Sequence, residues 1–376
     1  MRIGIDARLW HETGVGRYIR NLVWQLEQFD KKNDYVLFVQ KGFTKQDLGI
    51  TNERFKLIET DIRWHTVDEQ FLFHKVLENE LLDLVHFPYF SVPILYNKPF
   101  VITIHDLIIN HFPTGKASTL PLPVYYAKRF AYQYILKQAA KKSRKVIAVS
   151  EETKKEIVKH LNVLPNKVAV TYEGVDDELS KKLKVKSEKL PFVFKNQKYF
   201  LYVGNAYPHK NIERLVEAFR LVAKEYIDVK LLLVGKSNYF YDRLKEKVTQ
   251  MGLEKSVLFL GRVTDEELIG LYHHAEALVF PSLMEGFGLP GLEAMQNDCL
   301  VLASDIPVFK EIYQDAALYF NPREITSIHA TIRLVLTEKK SFSHYIEKGE
   351  KQTEPFSWEK MAQETLHIYE SSVGLR

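Results

Sequence analysis

The chain has 376 residues, which at about 150 residues per domain is enough for two or three domains. Hydrophobic residues make up 46% and charged residues 27%, a balance that excludes a disordered chain, a collagen-like repeat and a disulfide scaffold. Fifty-two basic against 48 acidic residues leave a net charge of +4, too little for a dedicated nucleic-acid binder, and the single cysteine, Cys299, fits a reducing cytosol.

The first residues, Met1-Arg2-Ile3-Gly4-Ile5-Asp6, run straight into a strand pattern without an apolar leader, so no secretory signal is expected. Short β-rich runs then recur at residues 35–39, 84–87, 101–104, 146–149 and 168–172, with amphipathic segments between them. That alternation predicts βα units on a parallel sheet. The longest apolar-looking stretch, 87–104, is broken by Pro88, Pro93, Asn97, Lys98 and Pro99 and is not a membrane span. The expectation is a cytoplasmic protein, soluble or peripheral at the inner face of the membrane.

Around residues 178–198 the pattern lapses into a charged, Lys-rich stretch with one proline, which reads as a linker. The rhythm restarts at 199–203 and continues at 230–234, 257–260, 277–280 and 300–303. Residues 358–369 carry Met361, Leu366 and Tyr369 among polar positions, spacing that suits a final amphipathic helix. The predicted organisation is an N-terminal Rossmann-like domain at 1–180, a linker at 181–198, a second Rossmann-like domain at 199–355, and a C-terminal helix at 356–376 that packs back toward the first domain.

The most informative segment is Pro281-Ser-Leu-Met-Glu285-Gly286-Phe287-Gly288-Leu289-Pro290-Gly-Leu-Glu293, which follows an apolar run and leads into a helical pattern. Its glycines permit close backbone approach to a ligand, and Pro290 suits a first helical turn whose amides favour an anion. Paired carboxylates can also serve glycoside hydrolysis. Eight residues of helix would hold Glu285 and Glu293 about 12 Å apart, beyond the roughly 6.5 to 9.5 Å of an inverting pair, although the glycines and proline weaken that argument.

This segment resembles the signature of retaining glycosyltransferases of family 4. The resemblance covers nearly the whole chain, because further motifs appear in order: Gly4-Ile-Asp6-Ala-Arg8 with Gly14-Val-Gly16-Arg17-Tyr18, His105-Asp106, Gly174-Val-Asp176, and Tyr202-Val-Gly204 followed by His209-Lys210-Asn211. It implies an α/β GT-B architecture, two Rossmann-like parallel-sheet domains facing a central cleft. It also implies a nucleotide-sugar donor held mainly by the C-terminal half.

Carried over by position, the resemblance gives Glu285 the donor-sugar hydroxyls, the backbone of Gly286, Phe287, Gly288 and Leu289 the sugar and phosphates, and Glu293 the ribose. Lys210 becomes the candidate for stabilising the diphosphate leaving group, and His105 is expected beside the donor sugar. The chemistry agrees, since a carboxylate accepts hydrogen bonds from vicinal hydroxyls and a departing diphosphate needs fixed positive charge. Many relatives carry Arg where this chain has Asn205, which removes one cation from the diphosphate; Arg17 is the candidate to replace it. Asp298 and Leu300 stand where the family usually has Gly and Pro after the second Glu.

His105 follows the apolar run at 101–104, the end of a strand where α/β folds gather functional groups. Asp106 serves equally well as its orienting partner or as a helix cap. Gly14-Val15-Gly16 starts like a dinucleotide fingerprint, but Ile19 holds the sixth position and Gln40-Lys41 replaces the ribose-binding acid, which argues against NAD. In the resembling family this loop lies by the donor phosphates and the acceptor; otherwise it is a tight βα turn.

No Asp-x-Asp occurs, Asp176-Asp177 being the nearest approach, and the histidines show no zinc-ligand spacing, so no metal site and no cofactor are expected. From 107 to 150 no acidic residue appears, whereas Lys116, Lys128, Arg129, Lys137, Lys141, Lys142, Arg144 and Lys145 interleave with Tyr125, Tyr126, Phe130, Tyr132 and Tyr134. Such a segment suits an anionic membrane surface or a phosphorylated acceptor; the plainer alternative is a helix with tyrosines inward and lysines in water.

The combined expectation is a metal-independent retaining hexosyltransferase acting on a sugar or lipid-linked acceptor in glycan, polysaccharide or glycolipid synthesis. GDP-mannose is the favoured donor, because the opening motif and the Gly-Asn…Pro-His-Lys-Asn variant look most like the mannosyltransferase branch. A UDP-sugar-dependent enzyme and a catalytically silent sugar-nucleotide binder remain as alternatives.

Overall fold

Short strands of consecutive apolar residues, alternating with helices, assemble into two parallel sheets, each buried on both faces as βαβ connectivity requires. The computed structural model describes residues 1–112, 121–175 and 197–374. Lys116, Asp176, Asp177 and most of the expected linker at 181–198 lie outside the described residues. The chain divides into two compact units, the first formed from Met1–Leu107, Ser118–Gly174 and Trp358–Arg376, the second from Ile108–Ala117 and Val175–Ser357.

The first unit holds β1 (Arg2–Asp6), β2 (Asp34–Gln40), β3 (Phe55–Thr60), β4 (Leu84–Phe87), β5 (Phe100–Ile104), β6 (Lys145–Ala148) and β7 (Val168–Val170), in the order β3-β2-β1-β4-β5-β6-β7. Every pairing is parallel. β3 escaped the sequence reading because Lys56 and Glu59 interrupt its apolar residues, a pattern that fits an edge strand. Helix Val15–Phe29 buries Tyr18, Ile19, Leu22, Val23 and Leu26, a stripe at helical spacing.

The C-terminal helix Trp358–Val373 belongs to this unit, packing on helix Val15–Phe29 and on β4 and β5 through Trp358, Met361, Ala362, Ile368 and Tyr369. A polar chain fixes it there. Tyr369 Oη lies 2.6 Å from His86 Nδ1, His86 Nε2 lies 2.8 Å from Thr103 Oγ1, and Thr103 Oγ1 lies 3.2 Å from Tyr18 Oη. All four side chains are buried. Burial, with the charge of His105 adding to it, lowers the His86 pKa to about 3, so this imidazole is neutral at ordinary pH.

The second unit holds β8 (Tyr199–Val203), β9 (Lys230–Val234), β10 (Val257–Gly261), β11 (Ala277–Phe280), β12 (Val301–Ser304) and β13 (Leu318–Phe320). Their order, β10-β9-β8-β11-β12-β13, is the doubly wound arrangement in which the direction of winding reverses between β8 and β11. Only three residues long, β13 gave too little pattern to be read from the sequence. Among the described residues no helix is long and apolar enough to cross a membrane.

Candidate active site

In open parallel sheets, ligands bind beyond the carboxyl ends of the strands where the winding reverses. In the second unit those ends are β8, which leads into residues 204–211, and β11, which leads into residues 281–288. The two segments are tied together by backbone and side chain. The Leu283 amide donates to the His209 carbonyl at 2.7 Å, and Asn211 Nδ2 donates to the carbonyls of Pro281 at 3.0 Å and Pro322 at 2.8 Å. Asn211 has φ 61° and starts helix Ile212–Glu225.

Across this junction Lys210 Nζ donates to Glu285 Oε1 at 2.7 Å, and Ser282 Oγ donates to the same oxygen at 2.6 Å. The side chains are 15% and 9% exposed, so the pair is partly desolvated and its electrostatic coupling exceeds that of a surface ion pair. The site residues Lys210 and Glu285, 75 positions apart in sequence, are therefore in direct contact. The neighbouring His209 ring has its pKa lowered to about 4 by burial first and by the Lys210 charge second. Asn205 lies on the same β8 loop, its Oδ1 accepting from the Tyr207 amide at 3.2 Å.

Glu285 precedes the helix, which spans only Leu289–Gln296 with Pro290 in its first turn, so the helical 12 Å separation of the two glutamates does not apply. Gly286, Phe287 and Gly288 form the buried approach to that helix. Gly288 has φ 108°, and a Cβ there would collide with Tyr313 Oη, which instead donates to the Gly288 carbonyl. Gly291 likewise lies against the Tyr313 ring with no room for a methyl group. The two glycines thus seat the helix N-terminus just beyond the β11 strand end, a geometry suited to a phosphate. Glu293, one turn on, accepts from Tyr272 Oη at 3.2 Å.

His105, Gly14 and Gly16 belong to the first unit. Gly14 caps helix Val15–Phe29 at φ 59°, and Gly16 sits in its first turn. His105 makes two polar contacts, Nδ1 to Glu173 Oε1 at 3.0 Å and Nε2 to the Pro88 carbonyl at 3.0 Å, and its ring packs edge-on to Tyr18 at 5.0 Å. A carbonyl only accepts, so Nε2 carries a hydrogen. Of the two roles open to Asp106, the orienting one is filled by Glu173, which lies beyond β7 and directly before the Gly174-Val motif.

The sequence reading quoted Ser282 and Asn211 inside its motifs without giving them a role, and did not name Glu173. Ser282 meets Glu285 three residues on, within the same motif, whereas the carbonyls to which Asn211 donates and the His105 ring that meets Glu173 lie 68 or more residues away, and only the fold joins them.

Helix Leu122–Lys142 carries the basic aromatic segment. Phe130 is 74% and Tyr126 57% exposed, and Lys128, Lys137, Lys141 and Lys142 face solvent, whereas Tyr125 is buried and Tyr132 packs on Phe90 at 4.3 Å. Tyrosines therefore lie on both faces, so the alternative with the tyrosines all turned inward does not hold. Arg129 departs from the expected solvent-facing set, because its Nη1 is buried.

Comparison with known proteins agrees with this architecture. Residues 13–179 match the model described as Glycosyltransferase Family 4, and residues 186–352 match Glycosyl transferases group 1. O-antigen chain mannosyltransferase RfbU of Salmonella typhimurium is 33% identical over 65% of this chain and 62% of its own length. O-antigen chain mannosyltransferase B of Escherichia coli is 28% identical over 95% of this chain and 96% of its own. Among solved structures, sucrose-phosphate synthase from Thermosynechococcus elongatus superposes with a TM-score of 0.80 at 18% identity, covering 100% of both chains, which is a likeness of fold.

Proposed function

The chain belongs to the family 4 glycosyltransferases, and from that premise we propose that it is a retaining, metal-independent hexosyltransferase whose donor is GDP-mannose. The observation that carries the reading is the Lys210–Glu285 ion pair beside the glycine-seated helix N-terminus. It supplies a fixed cation, a carboxylate and a helix N-terminus at one strand-end crevice, a set that suits a nucleoside diphosphate sugar. Likeness to two mannosyltransferases supports mannose as the sugar.

In this reading Lys210 and the amides at the start of helix Leu289–Gln296 bind the diphosphate. Glu285 accepts hydrogen bonds from sugar hydroxyls, with Ser282 holding its carboxylate, and Glu293 binds the ribose. The acceptor hydroxyl oxygen bonds to the anomeric carbon as the bond from that carbon to the diphosphate breaks. The departing diphosphate oxygen takes the hydroxyl proton on the same face, so the configuration is retained and no protein base is needed. Lys210 stabilises the charge that develops on the leaving group, which gives a metal no necessary part.

His105, oriented by Glu173 and the Pro88 carbonyl, contacts the donor sugar in this scheme, and the first unit supplies the acceptor side, with the Gly14–Gly16 turn contributing its backbone. The solvent-facing lysines and exposed aromatics of helix Leu122–Lys142 suit peripheral attachment to an anionic membrane, consistent with a lipid-linked acceptor. Titration of GDP and UDP into the protein tests the donor. Saturable binding of GDP in preference to UDP is the expected result; preference for UDP would overturn the choice of donor, and binding of neither would overturn the reading.

A further inference from the structure

In the first sheet β2 and β3 lie to one side of β1 and β4 to β7 to the other, so the winding reverses between β1 and β4, where open parallel sheets place their ligand crevice. Beyond those strand ends lies a buried ionic hub. Arg8, two residues past β1, donates from Nε and Nη2 to the two oxygens of Asp6 at 2.8 and 2.7 Å and from Nη2 to Glu69 Oε1 at 2.6 Å, and its guanidinium lies 3.7 Å over the Phe73 ring. The Arg8 and Glu69 side chains are 1% and 0% exposed. Donors and acceptors meet one another here, so the hub positions its neighbours and does not wait for a ligand.

Its neighbours are the loops that leave β3 and β4. Arg8 Nη1 donates to the Ile62 carbonyl at 3.2 Å, and the second Glu69 oxygen accepts from the His65 amide at 3.0 Å and from the Ser91 hydroxyl. Glu69 stands in the first turn of helix Val67–Glu78, whose cap is Thr66. Fixed by that bond, His65 has φ 60°, a left-handed backbone that few non-glycine residues adopt and that persists only where the surroundings impose it.

The two loops bring four rings together. The His65 ring centre lies 4.5 Å from that of Trp64, 5.6 Å from Tyr89 and 5.1 Å from Phe90, and Tyr89 lies 4.2 Å from Phe90. Phe90 is buried, Tyr89 half-buried and Trp64 36% exposed, so the cluster is anchored inside and open outside. Burial first, and the charges of Arg8 and Lys128 second, lower the His65 pKa to about 4, which leaves an uncharged imidazole at neutral pH.

We infer that Trp64, His65 and Tyr89 form a platform for one pyranose ring of the acceptor glycan. A pyranose presents C–H groups on its faces and hydroxyls at its rim. Aromatic rings take the faces, while the indole Nε1 donor and the imidazole, one nitrogen donating and the other accepting, take the rim. Because the hub holds the rings before any sugar arrives, little ordering entropy is lost on binding. Calling the sugar an acceptor rests on the glycosyltransferase reading; the sugar site itself is read without turnover.

The test labels the full chain with fluorotryptophan, which places reporters at Trp10, Trp24, Trp64 and Trp358, in a Glu285→Ala background that removes the sugar contact of the second unit. Fluorine NMR follows titration with the methyl α-glycosides of mannose, glucose, galactose and N-acetylglucosamine. The Trp64 resonance, assigned by its loss in Trp64→Phe, is expected to move saturably with at least one of them, while those of the buried Trp10 and Trp358 stay in place. Trp64→Ala and Tyr89→Leu are expected to weaken that glycoside about three- to tenfold in isothermal titration, the loss of one aromatic contact, with GDP affinity unchanged.

A Trp64 resonance that answers no glycoside, or equal affinity of parent and Trp64→Ala, would overturn the platform. A Trp64 resonance that answers anionic vesicles and no glycoside would overturn it as well and assign the rings to a membrane. Loss of GDP binding with the glycoside response intact sinks the donor reading alone, and the converse sinks the platform alone.

Discussion

The two units bring functional side chains to the ends of parallel strands, but they satisfy those side chains differently. In the second unit the polar groups answer one another: Lys210 and Ser282 converge on Glu285, and Asn211 ties the β8 loop to the β11 loop. The first unit buries a relay of Tyr18, Thr103, His86 and Tyr369 behind His105, and leaves the Arg129 guanidinium nitrogen without a partner. A pre-paired cation and carboxylate suit a ligand that exchanges one partner for another, as a sugar diphosphate does.

The largest expected effect comes from breaking the pre-paired site. Lys210→Ala and Glu285→Ala should each lower kcat by a factor corresponding to roughly 2.7 to 4 kcal/mol, the usual loss for a stabiliser of developing charge. Glu293→Ala should instead raise the donor KM more than it lowers kcat, because it removes ground-state binding. Steady-state kinetics of the purified variants separate these outcomes, and a change in kcat alone for Glu293→Ala would break its assignment to the ribose.

A smaller loss is expected at the helix seat. Gly291→Ala forces a methyl group into the Tyr313 ring and should cost about 1 to 3 kcal/mol of stability, as overpacking does, read from the denaturation midpoint. An unchanged midpoint would mean that helix Leu289–Gln296 moves freely, and the amides it aims at the phosphates would lose their fixed position.

The relay of the first unit sharpens the comparison through pH. His86 titrates near 3 in the folded chain against 6.5 for a free histidine, so above 6.5 it contributes no pH dependence. As the pH falls below 6.5 only the unfolded chain takes the proton, and stability drops by up to about 1.4 kcal/mol per pH unit until the folded chain protonates near 3. His86→Gln should flatten this acid limb of the stability curve, with His65 and His209, both held near 4, supplying the slope that remains. An unflattened limb would show that the imidazole is not held neutral by burial.

The smallest effect concerns the outer face of helix Leu122–Lys142. Replacing Lys128, Lys137 and Lys141 by Gln should weaken sedimentation with anionic vesicles by about 1 kcal/mol per lysine at low salt. Arg129→Gln should matter less to vesicle binding than any of these, since its Nη1 points inward. Equal binding to anionic and neutral vesicles would remove the membrane from the account.

Much of this organisation was legible in the sequence because parallel strands buried on both faces read as short apolar runs, and because the Glu285-to-Glu293 segment carries its glycines and proline at fixed offsets. Edge strands β3 and β13 were not legible, one being half polar and the other three residues long. Within the site, Lys210 and Glu285 were named separately, and their contact became visible only with the β8–β11 junction folded. Glu173 took the role left open for Asp106 because β7 brings it to His105 from 68 residues away. Arg129 looked like one of many solvated cations, since the periodicity of a helix lacking acidic residues does not by itself distinguish its inner stripe from its outer one.

The most direct test of the central claim is the release of GDP from GDP-mannose in excess EDTA, with water or an added sugar as acceptor, by the wild-type chain and by Lys210→Ala. The account expects release by the wild type to persist in EDTA and to fall by roughly 10²- to 10³-fold in the variant. Release abolished by EDTA and restored by magnesium or manganese, or an unimpaired Lys210→Ala, would contradict it.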